Sequence, residues 1–112
     1  MSQGPGRPGG ERERRASRRV ALVAEIEYSS DSPSVTRRLT DLSVDGLFID
    51  TMSPLPPGTL ISIRFNLPGD ALPIVVLGEV VWGQEHLGMG VRFMNLRPKD
   101  RERIRAWIAG QR

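Results

Sequence analysis

The feature that most constrains this chain is a two-residue alternation of apolar and polar side chains that returns in several short stretches. Val20, Leu22, Ala24, Ile26 and Tyr28 take every second position, and Glu25 and Glu27 fall on the other face. Ile61, Ile63, Phe65 and Leu67 alternate with Ser62, Arg64 and Asn66, and Met89, Val91 and Phe93 alternate with Gly90 and Arg92. A strand with one buried face needs this period, whereas a helix would scatter the same residues around its axis. Three more stretches read as strands: Val35 to Thr40, the short Leu47-Phe48-Ile49, and Ile74 to Trp82, the richest in β-branched residues. Turn-forming clusters separate them, at Ser29 to Pro33, Ser53 to Gly58, Pro68-Gly69-Asp70 and Gly83 to Leu87.

After Leu96 the period changes. Pro98 suits a first helical turn, Ile104, Trp107 and Ile108 share one face, and Gly110 can stop the segment, so a helix is expected over 98–109. Asp100 and Glu102 stand near its start and Arg103 and Arg105 farther along, the favourable sense for the helix dipole. About six short antiparallel strands and one terminal helix suggest a small barrel or a sandwich, with the narrow apolar stripe of the helix capping it.

A length of 112 residues suits one domain. With no cysteine and one histidine, disulfide frameworks, thiolate metal sites and multi-histidine metal sites are excluded. No apolar run approaches the roughly 18 residues of a membrane span, and the Gly/Pro-rich start lacks the apolar region of a signal peptide. A cytoplasmic protein is expected, with residues 1–11 a disordered tail. The net charge of +3 is unevenly spread: residues 1–19 carry +4, residues 97–112 carry +4, and the stretch between them carries −5. Fifteen of the sixteen basic residues are arginine, whose planar fork matches phosphates and guanine edges.

No catalytic constellation emerges. His86 lies in a turn with no second histidine or cysteine, and no base accompanies Ser43 to activate its hydroxyl. Glu25 and Glu27 lie on an exposed strand face, and Gly88-Met89-Gly90 is too short to cradle a phosphate. The chain reads as a ligand-binding module, not an enzyme.

Two segments point to the ligand. Arg14-Arg15-Ala16-Ser17-Arg18-Arg19 sets four arginines in six residues directly before the first strand. By itself such a run is a solvated charged arm or an anion-capturing one. Asp41-Leu42-Ser43-Val44-Asp45-Gly46 reads as a turn between the second and third strands. Its carboxylate can accept from guanine N1–H and the exocyclic amine, its hydroxyl can donate or accept, and Gly46 permits a positive φ or a close backbone approach to a ligand. By itself this hexapeptide is also an ordinary hairpin loop.

Taken together, and in this order, the two segments resemble the PilZ domain, the bacterial cyclic di-GMP receptor module. Arg15 and Arg19 match its RxxxR motif before the first strand, and Asp41, Ser43 and Gly46 match its D/N-x-S-x-x-G motif. Arg14 and Arg18 offer a second RxxxR frame. The Pro-Gly loop at 54–58, Val80-Val81-Trp82 and Gly88 to Phe93 are similar to later parts of the family pattern, so the resemblance covers roughly 12–109.

The resemblance implies an all-β fold, a six-stranded antiparallel β-barrel over 20–94 with a C-terminal α-helix over 98–109. A domain over 12–110 would use residues 12–19 as an arm that wraps a ligand held on the barrel's outer surface. It implies that Arg15 and Arg19 contact phosphates and guanine, and that Asp41 and Ser43 contact a guanine edge beside Gly46. Arg14 becomes a further contact, in a place that favours a stacked pair of cyclic di-GMP molecules. Arg18 and Trp82 are additional candidates, and no cofactor beyond the dinucleotide is called for. The signal would pass to an unidentified downstream protein. A ligand-independent protein-interaction adaptor is the alternative. Nucleic-acid binding through the basic ends stands third, because the body is acidic and few aromatics offer stacking surfaces.

Overall fold

In the computed structural model, residues 18–31 and 33–111 are described here. Six strands appear: β1 (Val20–Ser29), β2 (Val35–Leu42), β3 (Gly46–Asp50), β4 (Leu60–Phe65), β5 (Ile74–Gln84) and β6 (Gly88–Met94). They close into a barrel in the order β1-β2-β3-β6-β5-β4, every neighbouring pair antiparallel. The barrel, not the sandwich, is therefore the architecture, and closure leaves no free sheet edge. One helix, α1 (Pro98–Ala109), follows β6.

The alternating apolar residues do what their period demands. Ile26, Tyr28, Ile61, Ile63, Phe65, Met89, Val91 and Phe93 are all buried in one core. Phe65 and Phe93 stack there with ring centroids 6.4 Å apart. Gly78 belongs to the same inward row, where a Cβ would meet Ile63 and Val91 side chains 2.6 Å away. Each strand buries two or three large apolar side chains, at roughly 1.5–3 kcal/mol apiece, which is what offsets the entropy of ordering so short a chain.

Antiparallel order places the start of β1, the β2–β3 turn, the end of β6, the start of β5 and the end of β4 at the same end of the barrel. The helix covers that end. Ile104 and Ile108 join the core. Arg101 reaches Asp45 in the β2–β3 turn at 3.7 Å, and Arg103 reaches Asp70 in the β4–β5 loop at 2.8 Å.

Helix charges serve packing more than the dipole. Asp100 is buried and bound by Arg97 and Arg103, and the last turn contains no basic residue. Gly110 does terminate the helix, but with an ordinary right-handed φ of −83°, so its freedom to turn left is unused.

Several strand boundaries depart from the expected ones. β2 runs two residues past Thr40, so Asp41 and Leu42 belong to the strand and the turn shrinks to residues 43–45. β5 continues to Gln84, and β4 stops at Phe65 with Leu67 buried beyond it.

Candidate functional site

Strict alternation would place Asp41 on the same side as Leu39 and Trp82 on the same side as Val80, inside the barrel. Two β-bulges prevent this. In the β2–β3 ladder Leu39 pairs with Ile49 and Asp41 with Phe48, so Thr40 is an extra residue and Asp41 swings outward. In the β5–β6 ladder Val80 pairs with Val91 and Trp82 with Gly90, so Val81 is extra and Trp82 swings outward too. Leu39 and Val80 stay fully buried, while Trp82 is 47% exposed. Bulges commonly re-aim side chains in this way at functional sites.

The registers then assemble one row across the outer face: Asp41 on β2, Phe48 on β3, Gly90 on β6 and Trp82 on β5. The row is the floor of a groove of about 280 Å³, which Arg19, Asp45, Gly46, Val81, Val91 and Arg92 also line. Phe48 and Trp82 stand 5.5 Å apart, tilted by 38°. Two glycines of β6 make room for these rings. A Cβ at Gly90 would meet the Trp82 indole at 2.4 Å, and one at Gly88 would meet the Phe48 ring at 2.5 Å. The Gly-x-Gly alternation therefore leaves room for two aromatic rings.

Arg19, just before β1, forms one wall. Its Nη2 lies 2.8 Å from Asp41 Oδ1, and its Nε donates to the same oxygen at 3.1 Å. Its Nη1 donates to Ser43 Oγ at 3.5 Å. Ser43 itself is fully buried. Its hydroxyl accepts from the Asp45 backbone N–H at 3.1 Å and donates to the Gly46 carbonyl at 3.4 Å, and its own N–H donates to that carbonyl at 2.9 Å. It thus ties the tight turn and touches the groove through Arg19.

Gly46 does not use a positive φ; among the described glycines only Gly58 and Gly69 do. Its close approach is to β6, since a Cβ there would stand 2.1 Å from the Val91 carbonyl oxygen. This corrects the expectation of a positive φ at Gly46.

Arg18, though adjacent to Arg19, points elsewhere. Its Nη1 donates to the Ile108 carbonyl at 3.3 Å and its Nη2 to the Gln111 carbonyl at 3.0 Å, at the C-terminus of α1. It supplies the cation that the last helical turn lacks. Arg14, Arg15, the tail 1–11 and the remainder of the arm to residue 17 lie outside the described residues. His86 is an exposed turn residue at φ 67°, its N–H donating to the Met52 carbonyl. Among the described residues no cluster of three His, Cys, Asp or Glu could hold a metal, and no helix is long and apolar enough to cross a membrane.

The family model for the PilZ domain matches residues 13–110. The chain belongs to the PilZ domain family. Its fold is similar to that of the inhibitor of motility MotI/DgrA from Bacillus subtilis, with TM-score 0.71 and 13% identity over 86% of this chain and 52% of that one. This PilZ chain thus spans about half the length of MotI. It is also similar to the PilZ domain of CeSA from a cellulose-synthesizing bacterium, with TM-score 0.62 and 18% identity over 84% of this chain and 97% of that one. The PilZ domain of YcgR from Escherichia coli, solved with c-di-GMP, gives TM-score 0.65 and 18% identity over 82% and 86%. No curated protein matches the chain in sequence.

Of the candidate residues, the PilZ fold brings Arg19, Asp41, Ser43, Gly46 and Trp82 to one place and sends Arg18 to the helix. Sequence reasoning missed Phe48, Gly90 and Arg92 as groove residues. The signal for the first two was present in the alternating glycines of β6, which leave a bare strip on the outer face for neighbouring rings.

Proposed function

We propose that this PilZ domain is a receptor for cyclic di-GMP, binding it on the outer face of the barrel and passing the signal to a partner protein. The observation that carries the reading is the meeting of Arg19, Asp41 and the Ser43 turn at one edge of a groove floored by two aromatic rings. The groove combines a guanidinium for phosphate or guanine O6 and N7, a carboxylate for the guanine N1–H and amine, and flat apolar surfaces for stacking. Arg14 and Arg15 add contacts from the arm, and Arg15 completes the RxxxR pair with Arg19. Ser43 acts at the guanine edge together with Arg19, and Gly46 sets the backbone beside it. The YcgR PilZ domain was solved with this ligand, which supports the choice of dinucleotide.

In this reading the Arg19–Asp41 pair is a resting state. Both side chains are partly exposed, at 49% and 36%, so the pair contributes little stability and opens at small cost. A ligand that orders the arm against the barrel changes the surface offered to a partner, and that change carries the signal. The role is that of a cytoplasmic receptor, not an enzyme. MotI, an inhibitor of motility, is one example of a protein with this fold that acts on a cellular output.

Isothermal titration with cyclic di-GMP tests the proposal. Saturable binding is expected, weakened about 100-fold by Arg19→Ala or Asp41→Ala through the loss of charge-assisted hydrogen bonds. No heat of binding at tens of micromolar, with circular dichroism showing a folded barrel, rejects it.

A further inference from the structure

The groove has a second wall, and its cation has no part in the two motifs. Arg92 lies on β6, two residues along from Gly90 and on the same outer face. That is about 7 Å from the aromatic row along the strand, and two strands, about 10 Å, across from Asp41. It lines the same depression as Arg19 and Trp82. Its cross-strand neighbours are Gly46 on β3 and Glu79 on β5. The glycine offers no side chain to cover it. Glu79 accepts a hydrogen bond from Arg92 Nη2 and forms an ion pair with it.

The two walls differ in how their donors are spent. Arg19 commits Nε and Nη2 to Asp41 and Nη1 to Ser43. Arg92 commits only Nη2, so Nε and Nη1 carry no hydrogen bond among the described residues. Its side chain is 59% exposed, so its guanidinium is already available at the groove mouth. On the barrel's own surface Asp41 balances Arg19, which leaves little net positive charge there for a doubly charged dinucleotide. Among the described residues lining the groove, Arg92 is the other cation.

We infer that Arg92 is a second ligand-binding cation of this groove, gripping a phosphodiester oxygen, and that Glu79 competes with the ligand for it. The inference rests on the reading of the groove as the cyclic di-GMP site. Glu79 does not line the groove, and at 27% side-chain exposure it remains in contact with water when Arg92 turns away. Losing such a surface partner costs little, whereas the fork of Arg92 gains two aligned acceptors on a phosphate. Glu79 thereby sets the affinity: it holds Arg92 in place without ligand and taxes its transfer to the ligand.

The test is titration of cyclic di-GMP into the wild-type chain, Arg92→Ala, Arg92→Lys, Glu79→Gln and the double variant. Arg92→Ala is expected to weaken binding about 10-fold, as for one charge-assisted contact. Arg92→Lys should recover only part of this, because an ammonium lacks the fork. Glu79→Gln should tighten binding about 3-fold by removing the competing charge, and the gain should vanish in the Arg92→Ala background. Wild-type affinity in Arg92→Ala, or a Glu79→Gln gain that survives without Arg92, overturns the inference while leaving the proposed function intact. No binding by the wild-type chain overturns both.

Discussion

Beneath the helix, Asp100 is 1% exposed and both its carboxylate oxygens are filled, Oδ2 by Arg97 Nε at 3.1 Å and Oδ1 by Arg103 Nη1 at 3.0 Å. At the groove, Asp41 and Arg19 are 36% and 49% exposed, and both contacts between them fall on Asp41 Oδ1. The side-chain types are the same and the settings are not. A buried carboxylate cannot exchange its partners for water, so its removal or isolation is expensive. A half-exposed pair is nearly neutral in stability and can trade its partner for a ligand. One cluster therefore holds α1 to the barrel, and the other, in our reading, waits to be opened.

The largest effect should come from deliberately breaking the closed cluster. Asp100→Ala leaves Arg97 and Arg103 facing a vacated buried position and should cost about 3 kcal/mol in urea unfolding. Asp41→Ala, measured alongside it, should cost less than about 1 kcal/mol. Equal losses would erase the contrast and make Asp41 a structural residue.

Next in size is the aromatic floor. Trp82→Ala should reduce cyclic di-GMP affinity roughly 10-fold, the scale of one lost base stack, with little change in stability because the ring lies on the outer face. Ligand should also quench tryptophan emission, and Trp82→Phe should abolish the change although Trp107 remains. Quenching that persists in Trp82→Phe would move the stacking surface away from this row.

Most of the barrel was legible because its core rests on uninterrupted alternation: Ile61, Ile63 and Phe65 need no information beyond their own period. The six strands and the helix span Pro98–Ala109 follow from that rule and from Pro98 and Gly110. The six-residue arginine run and the Asp41–Gly46 motif were legible as a pair, through family resemblance. What stayed hidden was direction. A bulge is a property of two paired strands, and neither Thr40 nor Val81 declares itself in a single sequence. Without these bulges the period assigns Asp41 and Trp82 to the interior. The role of Gly46 was hidden for the same reason: its constraint is the Val91 carbonyl on β6, a strand some forty-five residues away. Arg92 was missed because an outward arginine on a strand resembles any solvated surface charge until its neighbours are known.

A smaller effect separates the two arginines before β1. Arg18→Ala should remove about 0.5 kcal/mol of stability by uncapping the carbonyls of Ile108 and Gln111, in keeping with a cation at a helix C-terminus. Its affinity for cyclic di-GMP should fall far less than that of Arg19→Ala. Comparable losses at both positions would place Arg18 in the groove when ligand is bound.

The smallest effect concerns acid. Asp70, at the rim of the helix cluster, accepts from Arg103 Nη2 at 2.8 Å and from the Leu72 N–H at 3.0 Å, and these bonds hold its carboxyl below the ordinary value of 3.8, the Arg103 bond most of all. The same pairing raises Arg103 above its ordinary range. With the folded-state pKa depressed, the unfolded chain takes up the proton at higher pH than the folded one. The contribution is therefore fully present above the unfolded value and is lost as pH falls through 3.8 toward the lower folded value. Asp70→Asn should leave the melting temperature near pH 7 only slightly lower and flatten its fall as the pH drops below 3.8. Because Asp70 is only partly buried, at 40% side-chain exposure, the flattening should also shrink in high salt, whereas the stability loss of Asp100→Ala, in its buried setting, should persist. A salt-insensitive acid limb at Asp70 would join it to the closed cluster instead of its exposed rim.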